Sequence, residues 1–126
     1  MVNRCIALII EDKIDTHEHT EQITRYRQIV PQILANSPSP PIVHVVYLKT
    51  GNESPHRRPA ANLCGVMMRE QLLAILHQHA HVKDQIVRQF QQHLQSLQTE
   101  TESYLTLPPT QWSSRAIEGF YNSIAS

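Results

Sequence analysis

The chain has 126 residues and a mass of 14.5 kDa, with 11 Lys and Arg against 11 Asp and Glu. That is the length of one domain or part of one, enough to bury roughly two thirds of its unfolded surface without metal or disulfide. Zero formal net charge excludes polyanion binding driven by bulk charge and leaves room for a local basic patch.

Two cysteines, Cys5 and Cys64, make no disulfide framework and read as reduced, buried side chains. The apolar run at residues 5–10 is too short for a signal sequence and ends in acids. No stretch approaches the roughly 20 apolar residues of a membrane span. The expected compartment is the cytoplasm.

Residues 5–10, Cys-Ile-Ala-Leu-Ile-Ile, form a continuous apolar run stopped by Glu-Asp-Lys. The pattern is that of a strand buried on both faces. Residues 42–48, Ile-Val-His-Val-Val-Tyr-Leu, read the same way with stronger β character. Between them Ile23, Tyr26, Val30, Ile33 and Leu34 recur at spacings of three and four, which predicts a helix. Thr16 or Thr20 is placed to cap it, and Pro31 is expected to kink or end it. Strand, helix, strand predicts a parallel pair with a right-handed crossover.

Residues 49–62 read as a loop carrying Gly51, Pro55, Pro59 and the basic trio His56-Arg57-Arg58. Residues 66–68 suit a short strand or the start of a helix, and residues 69–79 read as a helix. Residues 82–99 give an amphipathic pattern, with Val82, Ile86, Phe90, Leu94 and Leu97 on one stripe and Gln91, Gln92, Gln95 and Gln98 facing away. After Pro108-Pro109, Thr110 or Ser113 caps a last helix carrying Ile117, Phe120, Tyr121 and Ile124. The expectation is a single α/β domain over 1–126. Its core (1–50) has two to three strands and a crossover helix, and a helical part follows over 63–126.

Chemistry concentrates where the first strand ends, at Glu11-Asp12-Lys13. Side chains alternate along a strand, so Glu11 and Lys13 share a face and Asp12 takes the other. Ligands of open α/β sheets bind beyond the carboxyl ends of strands. A carboxylate there can hold Mg²⁺, and a lysine two residues on can position a water or offset charge in a phosphorane-like transition state.

An apolar strand, Glu-x-Lys and then a helix with Gln22-x-x-x-Tyr26 resembles the PD-(D/E)XK nuclease superfamily. Residues 7–14 look like that family's third core strand, Gln22-Ile23-Thr24-Arg25-Tyr26 like its Gln-x-x-x-Tyr motif, and residues 42–48 like its fourth strand. The later helices, Trp112 and the Gly119-Phe120 helix are similar to a little-characterised subgroup. The resemblance implies a partial restriction-endonuclease-like sheet and metal-dependent hydrolysis of DNA, by an endonuclease or exonuclease. It implies Glu11 as an Mg²⁺ or Mn²⁺ ligand, with the backbone carbonyl of Asp12 beside it. Lys13 would orient the attacking water or stabilise the transition state. Gln22 would orient the site or meet a DNA phosphate, and Tyr26 would pack or hydrogen-bond beside it.

The family also carries an acid on the preceding strand and often a Glu on an upstream helix. Ten residues precede Glu11 and none is acidic. Three expectations follow. The chain is an N-terminally truncated remnant, a second copy or partner chain completes the sheet, or Asp15 or Glu18 substitutes. The last is least favoured, since both lie past the motif. The isolated chain is expected to be weak or inactive, with an apolar sheet edge that favours oligomers. The competing expectations are a non-enzymatic interaction protein and a nucleic-acid-binding module without cleavage.

Other candidates are weaker. His77 and His81 are four apart, a Zn²⁺-chelating spacing on a helix. His17 and His19 flank the Glu-x-Lys loop. Arg57 and Arg58, with His56 and Lys49, sit on a loop able to reach a nucleic-acid backbone. Trp112 reads as an anchor for the last helix. Glycine occurs only at 51, 65 and 119, so no Gly-rich phosphate loop exists, and no serine or cysteine stands in a nucleophile-elbow context.

Overall fold

A computed structural model describes residues 6–13, 20–39, 41–59 and 64–125. The strands β1 (Ile6–Lys13), β2 (Ile42–Lys49) and β3 (Gly65–Met68) form one parallel sheet in the order β1-β2-β3. The helix α1 (Thr20–Leu34) connects β1 to β2. The chain runs without a break from β3 into α2 (Arg69–Gln78), then α3 (Gln85–Glu102) and α4 (Ser114–Ile124). Short 3-10 turns occupy Pro55–Arg57, Ser103–Leu105 and Pro109–Gln111. The fold is α/β, as the sequence predicts, and residues 66–68 belong to a strand.

Register fixes the faces. Ile9 pairs with Val45, Glu11 with Tyr47 and Lys13 with Lys49, while Val66 and Met68 pair with Tyr47 and Lys49. These residues share the face that α1 covers. Ile23 of α1 is fully buried against Val45 and Tyr47, with Ile9, Cys64 and Val66 packed around them. Full burial of such a side chain contributes about 1.5–3 kcal/mol. Cys64 is half-buried at this core and forms no disulfide, whereas Cys5 lies outside the described residues.

The opposite face corrects the expectation of strands buried on both sides. Ile6, Leu8 and Ile10 are 66%, 57% and 55% exposed, and Ile42 and His44 are exposed with them. No layer of the described residues covers this face, and no described strand pairs with the outer edge of β1. The apolar run records a demand for burial, which one helix meets on one side only.

Pro31 does not end α1, which continues to Leu34. Proline removes one N–H and the ring stands on an exposed position, so a single further turn survives before the chain leaves through Ala35 and Ser37. Of the α1 stripe, Ile33 is exposed and Val30 and Leu34 are half-buried. Thr16 lies outside the described residues.

The α3 stripe is half right. Leu94 and Leu97 are buried, but Ile86 is 77% exposed, Phe90 is also exposed, and Val82 precedes the helix. Asp84 caps α3, its carboxylate accepting from the backbone N–H of Ile86 (3.0 Å) and Val87 (3.1 Å). Asp84→Ala is expected to cost about 1 kcal/mol, read as a shift in urea midpoint at unchanged slope. Ser113 caps α4 by accepting from Ala116 N–H. Trp112 donates its indole N–H to the Leu107 carbonyl (2.9 Å) and sets its ring against Phe120 and Tyr104, the anchoring role expected of it. Ile117, Tyr121 and Ile124 of α4 remain exposed. No helix among the described residues is long and apolar enough to cross a membrane.

Candidate functional site

In a parallel sheet the carboxyl ends of all strands lie along one edge. Here that edge carries Lys13, Lys49 and Met68 at matching positions. Glu11 and Lys13 project from β1 on the α1 side, and Gln22 and Tyr26, one helical turn apart, project from α1 toward them.

The four side chains meet. The Lys13 ammonium lies 2.7 Å from the Glu11 carboxylate and donates to Gln22 Oε1 at 3.2 Å. Gln22 Nε2 donates to the Tyr26 hydroxyl at 3.0 Å. Glu11 and Lys13 are mostly buried, and Gln22 and Tyr26 half-buried. Gln22 is thus fixed in orientation, its carbonyl spent on Lys13 and its amide on Tyr26. The strand period of two and the helix period of four each bring one pair onto a face, and the crossover brings the pairs together.

Asp12 stands differently. Its carboxylate is on the opposite, exposed face and does not join the cluster. Its carbonyl has another bearing. Thr50 N–H donates to the Lys13 carbonyl at 3.2 Å. In a parallel ladder alternate residues turn their polar backbone to the same neighbour, so the Asp12 carbonyl faces the outer edge of β1. Glu11 and the Asp12 carbonyl are hard oxygen donors of the type Mg²⁺ and Mn²⁺ take, with water and substrate phosphate completing the shell. Among the described residues no group of three His, Cys, Asp or Glu side chains could hold a metal. Asp15, His17, Glu18 and His19 lie outside the described residues.

Lys49, predicted on the loop, is the last residue of β2 and 1% exposed. Its ammonium lies 3.8 Å from the Glu53 carboxylate, which accepts from the Tyr47 hydroxyl at 2.8 Å. It is closed off from any backbone phosphate. Sequence reasoning missed Glu53, which looks like one more polar loop residue. The His77/His81 pair does not share a helix, since α2 ends at Gln78. Arg57 is exposed at the close of the Pro55–Arg57 turn, and the exposed Arg58 lines a separate cleft.

That cleft, about 240 Å³, lies against Arg69, the first residue of α2. Arg69 is 3% exposed. Its Nε donates to Gln98 Oε1 (2.8 Å), Nη1 to the Thr50 carbonyl (2.9 Å), and Nη2 to Asn52 Oδ1 (2.9 Å) and Thr101 Oγ1 (3.0 Å). All four acceptors are neutral. Burial lowers the Arg69 pKa from its ordinary value; Arg115 adds to this, and Glu70 and Glu102 oppose it. Gln98, expected to face solvent, is buried here.

No protein-family model, curated protein or solved structure matches this chain.

Proposed function

We propose that the chain is a PD-(D/E)XK nuclease-like protein whose Glu11–Lys13 pair serves metal-dependent hydrolysis of a DNA phosphodiester, slowly as the isolated chain. The observation that carries this reading is the Lys13 ammonium held between Glu11 and Gln22, with Gln22 locked by Tyr26. A bound Mg²⁺ or Mn²⁺ would polarise a phosphate oxygen and acidify a water. The chain's own part is electrostatic. Glu11 and the Asp12 carbonyl supply oxygen donors, and Lys13 offers a positioned positive charge to the anionic transition state. Gln22 keeps Lys13 from following Glu11 alone.

The test is cleavage of DNA by the purified chain in Mn²⁺. Glu11→Ala and Lys13→Ala are each expected to lower the rate at least about 100-fold, the usual loss for one charge-stabilising group. Robust cleavage unchanged by Lys13→Ala would remove the role given to Lys13. No cleavage by the folded wild-type chain would remove the hydrolytic reading.

The open, apolar outer face of β1 favours a second reading, an interaction protein whose sheet is completed by a second copy or partner chain. An edge strand with Ile6, Leu8 and Ile10 exposed is a template for strand addition. Light scattering should give a mass above that of one chain, reduced to one chain by Leu8→Lys with Ile10→Lys. A monomeric wild type at high micromolar concentration would count against self-association.

A further inference from the structure

The cleft at Arg69 sits on the same sheet edge as Glu11 and Lys13. The link is one residue, Thr50, whose N–H donates to the Lys13 carbonyl and whose carbonyl accepts from Arg69 Nη1. Strands are about 4.8 Å apart, so the β1 and β3 ends lie roughly 10 Å apart.

Arg69 is an unusual buried charge. Buried ions are normally paired with an opposite charge, yet none of the described carboxylates forms an ion pair with it. A guanidinium has five N–H donors. Four are held, and one on Nη1 has no acceptor among the described residues. The cleft is lined by further unspent donors: the Arg58 guanidinium, the Asn122 amide and the Tyr104 hydroxyl have no hydrogen-bond partner among the described residues. Three carboxylates, Glu53, Glu70 and Glu102, stand in its wall, and two of them are hydrogen-bonded. Glu53 accepts from Tyr47 and faces Lys49, and Glu102 accepts from Gln98 Nε2 at 2.7 Å. Glu70 remains, exposed on the first turn of α2.

We propose that this cleft is a phosphate-binding site, with Arg69 as its buried charge and Arg58, Asn122 and Tyr104 as its adaptable donors. The phosphate is that of a nucleic-acid strand or of a small phosphorylated molecule. Binding of the anion stands apart from the hydrolytic reading; the nucleic-acid source alone rests on it. On that source, a strand lying along the sheet edge places one phosphate at Lys13 and a neighbouring one at Arg69.

The test titrates the full chain, in EDTA so that no cleavage intervenes, with inorganic phosphate and separately with a short oligothymidylate. Side-chain amide and guanidinium signals are followed by NMR. Phosphate is expected to give saturable shifts of the Asn122 amide and Arg69 Nε–H. Arg58→Ala is expected to weaken binding about tenfold, the worth of one charge-assisted hydrogen bond, at unchanged thermal midpoint. Glu70→Gln is expected to tighten it by removing one of the opposing charges in the wall. Glu11→Ala is expected to leave it unchanged, which separates this site from the hydrolytic one. A saturable oligothymidylate affinity above that of phosphate assigns the site to a nucleic-acid strand, and one no higher assigns it to a small phosphorylated ligand. Absence of saturable shifts with either probe, or affinity unchanged in both Arg58→Ala and Asn122→Asp, overturns the proposal.

Discussion

Replacing Arg69 with Met is expected to destabilise the fold by about 2–4 kcal/mol, the cost of leaving buried neutral acceptors without their donor. Methionine keeps most of the unbranched stem and its packing, so the loss isolates the polar head. Two acceptors, the Thr50 carbonyl and Gln98 Oε1, lose their donor, whereas Asn52 Oδ1 and Thr101 Oγ1 keep the bond between them at 3.0 Å. Each unsatisfied buried group costs about 1–3 kcal/mol, and neighbours in one network do not add fully. Removing the whole network with its charge is a different experiment, because a well-packed apolar replacement of every member can be neutral. Arg69→Lys should fall between, since an ammonium lacks the planar fork that reaches α3 and the loop after β2 at once. Urea titration gives the values. A loss under about 1 kcal/mol in Arg69→Met would mean the loop after β2, α2 and α3 are held by packing alone.

Arg69 also shows where sequence reading stops. The strands, the crossover helix and the shared face of Glu11 and Lys13 were legible because each rests on a short-range period, whereas the place of Gln22 and Tyr26 beside them was implied by the resemblance of the motifs. The Arg69 network joins residues 17 to 32 positions apart, and no local pattern encodes it. Amphipathic bookkeeping sent Gln98 to solvent because glutamine is polar, yet it is buried by its bond to Arg69. The same bookkeeping sent Ile86 and Phe90 inward, and both are exposed. Only the second half of α3 has a partner surface, so one stripe carries two environments. For β1 the run of apolar residues correctly announced a strand. It was misread as burial on both faces, because alternation is invisible when both alternating positions are apolar. Asp12 was the exception, its place on the far face following directly from the period of two.

The two ends of the sheet edge are therefore built from different information. Lys13 is placed by strand and helix periodicity, and Arg69 by long-range hydrogen bonds through α3 and the loop after β2. Thr50, bonded to both, makes the spacing between them a property of the sheet itself. A substitution that shifts α3 or α4 should disturb the Arg69 cleft and leave Lys13 in place.

Gly119→Ala provides that substitution, with an expected loss of about 2–3 kcal/mol, at the upper end for overpacking. Helix propensity alone predicts the reverse sign, a gain of about 1 kcal/mol for Ala over Gly inside α4. Geometry decides against it. A Cβ on Gly119 would clash with the Thr101 carbonyl oxygen and stand 2.8 Å from Thr101 Cγ2, the carbonyl being the nearer of the two. The first is backbone of α3 and has no rotamer to escape into, so α4 must move away. Its movement strains Asn52, whose amide donates to Glu118 at 2.9 Å and whose Oδ1 accepts from Arg69. Thr101→Ser removes the methyl and keeps the hydroxyl that serves Arg69, so the double variant separates the two contacts. Because the carbonyl is the nearer obstacle, Thr101→Ser should recover less than half of the loss. Urea midpoints of the four proteins in that cycle measure it. A Gly119→Ala variant more stable than wild type would show that α3 and α4 are not in contact at this point.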